Sequence, residues 1–210
     1  MPENNQHHIN METKALTIVG RGPSWKECPF STTELWGNTT NLSIEGLRDK
    51  NYTKLFAFDQ PDEFGTPLQR EFYVELEMAR QRGIPIVSNR SYATEPFPMV
   101  DIAREFTSSY WMPTLSYAIA YALYLGYNKL FIDGIDQGPR WIYQSGKHHM
   151  VFWLGVAIGR KVDLRMGRGS MRWAYRLGFD ELPEIFFQDK GDSFASHIGL
   201  KIRADEIANK

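Results

Sequence analysis

The chain has 210 residues, 42% hydrophobic and 23% charged, with a formal net charge of −1 at pH 7. That balance suits one folded domain with a sizeable core and excludes a polyanion-binding surface spread over the whole molecule. The single cysteine, Cys28, excludes an internal disulfide framework and fits a reducing cytoplasm; no apolar run reaches membrane-spanning length and the N-terminus is not signal-like.

Residues 1–13 (MPENNQHHINMET) are polar and aperiodic, which predicts a disordered tail ahead of one domain spanning 14–210. His7 and His8 lie on that tail and carry little weight as metal ligands. Residues 14–25, KALTIVGRGPSW, come next. Leu16 to Val19 read as a short buried strand running into Gly20, Arg21, Gly22, Pro23 and Ser24. Two glycines two apart let the backbone turn sharply and approach a ligand without a Cβ in the way. Ser24 is placed to cap the following turn, with its neighbouring amides expected to face outward. Open α/β sheets commonly build a phosphate site in this way, although a plain tight turn accounts for the same residues. Trp25 stands where a dinucleotide fingerprint has its third glycine, and no Walker Gly-Lys-Ser/Thr follows.

Residues 34–36 are a candidate second strand ending at Gly37 and Asn38, and 54–59 (KLFAFD) a clearer third. Residues 67–82 carry a helical pattern, with Leu68, Phe72, Leu76 and Ala79 on one face and Gly83 as the stop. A strand over 84–88, a proline-containing loop over 89–98 and a short helix over 100–106 follow. Residues 114–125 predict a helix ended by Gly126. Residues 129–133 (KLFID) predict a strand leading into Gly134 and Asp136, 148–158 a helix closed by Gly159, and 161–165 a last strand. This alternation predicts an α/β fold: a single Rossmann-like domain with a mainly parallel sheet and helices on both faces.

In such folds ligands bind outside the carboxyl ends of the strands. Those ends are Gly20 to Ser24, Gly37 and Asn38, Asp59 and Gln60, Ser88 and Asn89, and Asp133 to Asp136. Singly each marks a turn; together they suit a phosphorylated, hydroxyl-rich ligand. Arg160, Lys161, Arg165, Arg168, Arg172 and Arg176 form a basic run that reads first as a solvated face and second as a contact for an anionic acceptor. Among Trp111, Tyr117, Tyr121 and Tyr124, core or subunit packing is the better account than sugar stacking.

The run LGYNKLFIDGID at 125–136, with VGRGPSW at 19–25 and LWGN at 35–38, resembles the motifs of the bacterial sialyltransferases of glycosyltransferase family 42 and of related DUF115-like proteins. The resemblance implies a nucleotide pocket. Gly20, Arg21, Gly22, Pro23, Ser24 and Asn38 would contact the cytidine monophosphate part of a donor, with Thr114, Gly134 and Asp136 completing the site. Arg21 replaces the family's asparagine, and Thr114 alone keeps a hydroxyl of its Thr-Ser-Gly. Downstream, the family uses tyrosines on the departing phosphate and a histidine as general base; Arg140, Tyr143, His148 and His149 occupy that interval here.

The implied activity is nucleotide-sugar-dependent glycosyl transfer without a metal. The donor would be CMP-type and the acceptor a saccharide or a modified nucleic acid, in a cytoplasmic protein compatible with a homo-oligomer. A non-catalytic binder of a nucleotide or nucleotide-derived signal is the alternative. A second is magnesium-dependent diphosphate transfer to a pterin-like alcohol, with Asp133 and Asp136 as the carboxylates.

Overall fold

The described residues form seven strands: β1 Ala15–Val19, β2 Leu35–Asn38, β3 Lys54–Phe56, β4 Ile86–Ser88, β5 Glu95–Pro96, β6 Lys129–Asp133 and β7 Asp163–Met166. They pair entirely in parallel in the order β5-β4-β3-β2-β1-β6-β7. The helices are α1 Thr66–Gln81, α2 Met99–Phe106, α3 Thr114–Tyr124 and α4 Trp141–Gly159, with 3-10 turns at Pro23–Glu27 and Thr39–Ser43. This computed structural model describes residues 12–60, 66–136 and 141–167, apart from the side chains of residues 66 and 141–145. No helix among them is long and apolar enough to cross a membrane.

Strand alternation builds two cores. Leu16, Ile18, Trp36, Phe56, Leu130 and Ile132 face α3 and α4, while Val19, Leu35, Leu55 and Ile86 face α1. A parallel sheet covered on both faces by helices is the Rossmann-like arrangement the sequence predicts. In the first core the fully buried Trp36 lies 5.3 Å from the rings of both Phe56 and Tyr127 and 5.7 Å from Tyr121. Burying side chains of this size contributes about 2–3 kcal/mol each. Of the aromatics weighed in sequence, Tyr121 is therefore core, with its hydroxyl donating to Glu95 at 2.9 Å. Tyr117 and Trp111 remain half-buried, and Tyr124 is exposed.

Several boundaries differ from expectation for physical reasons. Residues 37 and 38 continue the second strand, because Gly37 and Asn38 pair with Leu55 and Phe56. The missing Cβ at Gly37 makes room for the Tyr52 ring, which would stand 2.7 Å from it. The helix expected at 148 begins at Trp141. Gly146 within it packs on Pro113, whose Cδ would lie 2.7 Å from an added Cβ. The same helix runs through Gly159; its reversal falls at Lys161, at φ +59, so the last strand starts only at Asp163.

Candidate active site at the crossing point of the sheet

The chain leaves β1 toward β2 on one side and, after β6, turns to β7 on the other. The crevice where strand order reverses is the ligand position of open α/β sheets, and here it lies over the carboxyl ends of β1 and β6. Five paired residues, from Ala15 opposite Lys129 to Val19 opposite Asp133, bring the two glycine turns side by side. Gly20 N–H donates to Asp133 O at 2.8 Å, and Gly22 N–H to Gly134 O at 2.7 Å. Ser24 N–H donates to Asp136 Oδ2 at 2.7 Å, while Gly134 N–H donates to Ser24 Oγ at 3.0 Å.

This corrects one expectation. The amides of Gly20, Gly22 and Ser24 do not face outward; all three are used in locking the β1 turn to the β6 turn. The glycines serve that lock, since a Cβ on Gly20 or Gly22 would collide with Gly134 O or with Asp136. Pro23 opens the 3-10 turn, and Asp136 caps it in place of a local side chain.

The other expected residues fall around this lock. Asn38 caps the turn after β2, accepting from Thr40 N–H at 3.2 Å. Thr114 is the first residue of α3 and is buried; Leu115 Cδ1 would lie 2.9 Å from a Cβ on Gly20. The N-terminus of α3, with its partial positive charge, therefore sits over the crossing point. Arg21 is exposed, and its charge opposes the rise that burial imposes on the carboxyls of Asp59 and Glu75. Across β4, β3, β2, β1 and β6, the carboxyl edge thus reads Arg90, Asp59, Asn38, Arg21 and Asp136. Sequence reasoning found all of these except Arg90, whose only signal was its place two residues after the fourth strand.

Of the adjacent histidines, His148 is exposed and His149 half-buried. The His149 ring stacks on Tyr110 with centroids 3.8 Å apart and 22° between planes. Burial, seconded by His148, holds its pKa below the ordinary 6.5, against the backbone of Tyr110. Tyr143 lies on α4 with its side chain outside the described residues, and Arg140 lies outside them altogether. So do Arg168, Arg172 and Arg176 of the basic run. Of its described members, Arg160 pairs with Glu105 at 2.9 Å and Arg165 with Asp163 at 2.8 Å, while Lys161 is exposed.

Asp133 ends β6 with 3% of its surface exposed and Oδ1 without a partner among the described residues. Burial pushes its carboxyl up to about 6, with Glu27 and Asp136 adding repulsion and the Cys28 thiol opposing as a donor. Burial pushes that thiol up to about 12. A carboxyl whose folded pKa is raised stabilises fully below its unfolded value of 3.8, and that contribution is lost as pH rises through about 6. Asp133→Asn should therefore stabilise the protein by about 1–3 kcal/mol near pH 7, the gain fading toward about pH 4. Urea titrations at several pH values test this; a pH-independent difference would contradict it.

A Rossmann-like α/β fold is what these elements define, and comparison with solved structures makes it a sialyltransferase-like fold. The α-2,3-sialyltransferase of Campylobacter jejuni in apo form is similar at 14% identity and a TM-score of 0.52, over 75% of this chain and 76% of that one. The sialyltransferase CstII of the same organism, in complex with the substrate analogue CMP-3FNeuAc, is similar at 16% identity and a TM-score of 0.48, over 73% and 79%. No family model and no curated protein matches the sequence.

Proposed function

We propose that the protein is a nucleotide-sugar-dependent glycosyltransferase of the sialyltransferase type, with His149 as general base. The observation that carries this reading is the crossing point itself, where α3 presents its N-terminus over the locked turns of β1 and β6 and Arg21 and Asn38 stand at the neighbouring strand ends. An anionic nucleotide is favoured there by the helix dipole and by Arg21 rather than by the amides of the glycine turn. Arg21, Asn38 and Thr114 contact the donor, while Gly20, Gly22, Pro23, Ser24, Gly134 and Asp136 hold the floor beneath it. A cytidine donor fits the reading, since the Campylobacter enzyme binds a CMP-sugar analogue.

In the reaction an acceptor hydroxyl oxygen bonds to the anomeric carbon as the bond from that carbon to the phosphate oxygen breaks. The electron pair leaves with the nucleoside monophosphate, and the hydroxyl proton passes to the His149 imidazole. A lowered pKa keeps that ring neutral and able to accept a proton near pH 7. Arg140 and Tyr143 stabilise the charge on the departing phosphate.

A thermal-shift panel of CMP, UMP, GMP and AMP, with and without magnesium, tests the nucleotide site. CMP at a hundred times its dissociation constant should add about 2.7 kcal/mol of stability. Silence of the folded protein toward every nucleotide would sink the reading.

A further inference from the structure

A histidine works as a base when its ring is held in one plane with the right nitrogen free. A hydrogen bond from the other ring nitrogen to a carboxylate or carbonyl commonly does the holding. Nδ1 of His149 is buried and makes no such bond of ordinary geometry among the described residues. Of the described charged groups only His148 bears on the ring, and no carboxylate does.

Tyr110 stands where that partner would be. Its ring covers the imidazole in the stack at 3.8 Å, and its carbonyl accepts from Trp153 Nε1–H at 2.8 Å. Trp153 follows His149 by four residues, so the two lie a turn apart on one face of α4. Tyr110 spans that turn, with its ring on one and its carbonyl on the other. The Tyr110 backbone also favours the protonated imidazole. A carbonyl has that effect, whereas an N–H has the opposite one.

The clamp is itself fixed. Trp153 is fully buried and meets the Phe106 ring edge-on at 5.1 Å. Tyr110 N–H donates to Ser108 Oγ at 3.3 Å. Gly146, three residues before His149, lets α4 close on Pro113 just before α3. Tyr110 nevertheless stays 42% exposed, so removing its ring uncovers the imidazole without emptying the core.

We propose that Tyr110 is a positioning residue for His149: its ring sets the plane of the imidazole, and its carbonyl keeps the proton of the neutral ring on Nδ1, leaving Nε2 to take the acceptor proton. The imidazolium formed then has an aromatic face and a carbonyl beside it, both of which stabilise its charge. The assignment rests on His149 being the base of the transfer reaction, and the clamp is testable without a substrate.

The test is heteronuclear NMR of the full chain with isotopically labelled histidine, titrated with pH alone, the His149 signals being assigned by their loss in His149→Gln. Wild-type protein should show the Nδ1–H form of the neutral ring and titrate below 6.5. Tyr110→Ala should bring the titration up toward 6.5, as water reaches the ring, and should mix the two neutral forms. Tyr110→Phe keeps ring and carbonyl and should behave as wild type in both respects. The wild-type spectrum is decisive by itself on the tautomer, since an Nε2–H ring would overturn the proposal whether or not a variant folds. An unshifted titration in folded Tyr110→Ala would overturn it too, as would a Tyr110→Phe protein that behaves like Tyr110→Ala. Both signatures in a protein that responds to no nucleotide would strike the transferase reading on which the assignment rests, and not the clamp.

Discussion

Gly134→Ala is expected to destabilise the protein by at least about 3 kcal/mol, more than a left-handed backbone alone would cost. Gly134 has φ +68, and an added Cβ would meet Gly20 O, the Gly20 carbonyl carbon at 2.8 Å and Trp25 Cβ at 3.1 Å. Backbone conformation and steric collision therefore act together. Two controls separate them. Gly126 has φ +76 with nothing near its Cβ position, so Gly126→Ala should cost only about 1–2 kcal/mol for the left-handed backbone. Gly20 lacks a positive φ but meets Gly134 O and Leu115, so Gly20→Ala should fall in between or higher. Chemical denaturation of the three variants orders them. A Gly134 variant no worse than the Gly126 variant would mean that the two turns are not locked as described.

His149→Gln should lower kcat by about a hundredfold to ten-thousandfold, the usual contribution of a positioned general base, with nucleotide affinity retained. His148→Gln should stay close to wild type, because that ring is exposed on the neighbouring helix position and turned about 100° away. The pH dependence adds an independent readout. Since His149 titrates below 6.5, kcat/KM should rise from acid pH, level off before neutrality and lose that limb in His149→Gln. If His148→Gln proved the damaging change, the roles would be exchanged and the stacking on Tyr110 would be structural only.

Along the chain, hydrophobic periodicity determined the class of fold without help from the structure. Alternating strands such as ALTIV at 15–19 and KLFID at 129–133, with an apolar-faced helix between strands, leave a parallel sheet as the way to bury both faces. The polar strand ends were equally readable, because turn chemistry is local. Gly20, Gly22, Gly134 and Asp136 all stand just past strand ends, as their spacing suggested.

What the sequence could not determine is what those residues do once there. Whether a glycine approaches a ligand or a second glycine turn depends on strand order, and strand order is set by contacts more than a hundred residues apart. The Gly22 amide meets Gly134, and the Ser24 amide meets Asp136. Likewise, nothing local distinguishes His148 from His149 or draws notice to Arg90. Only the packing of α4 against the segment before α3 half-buries one imidazole and leaves the other in solvent. Only the sheet's own order buries the Asp133 carboxyl at the crossing point, since burial and the loss of water as a partner are properties of the assembled fold.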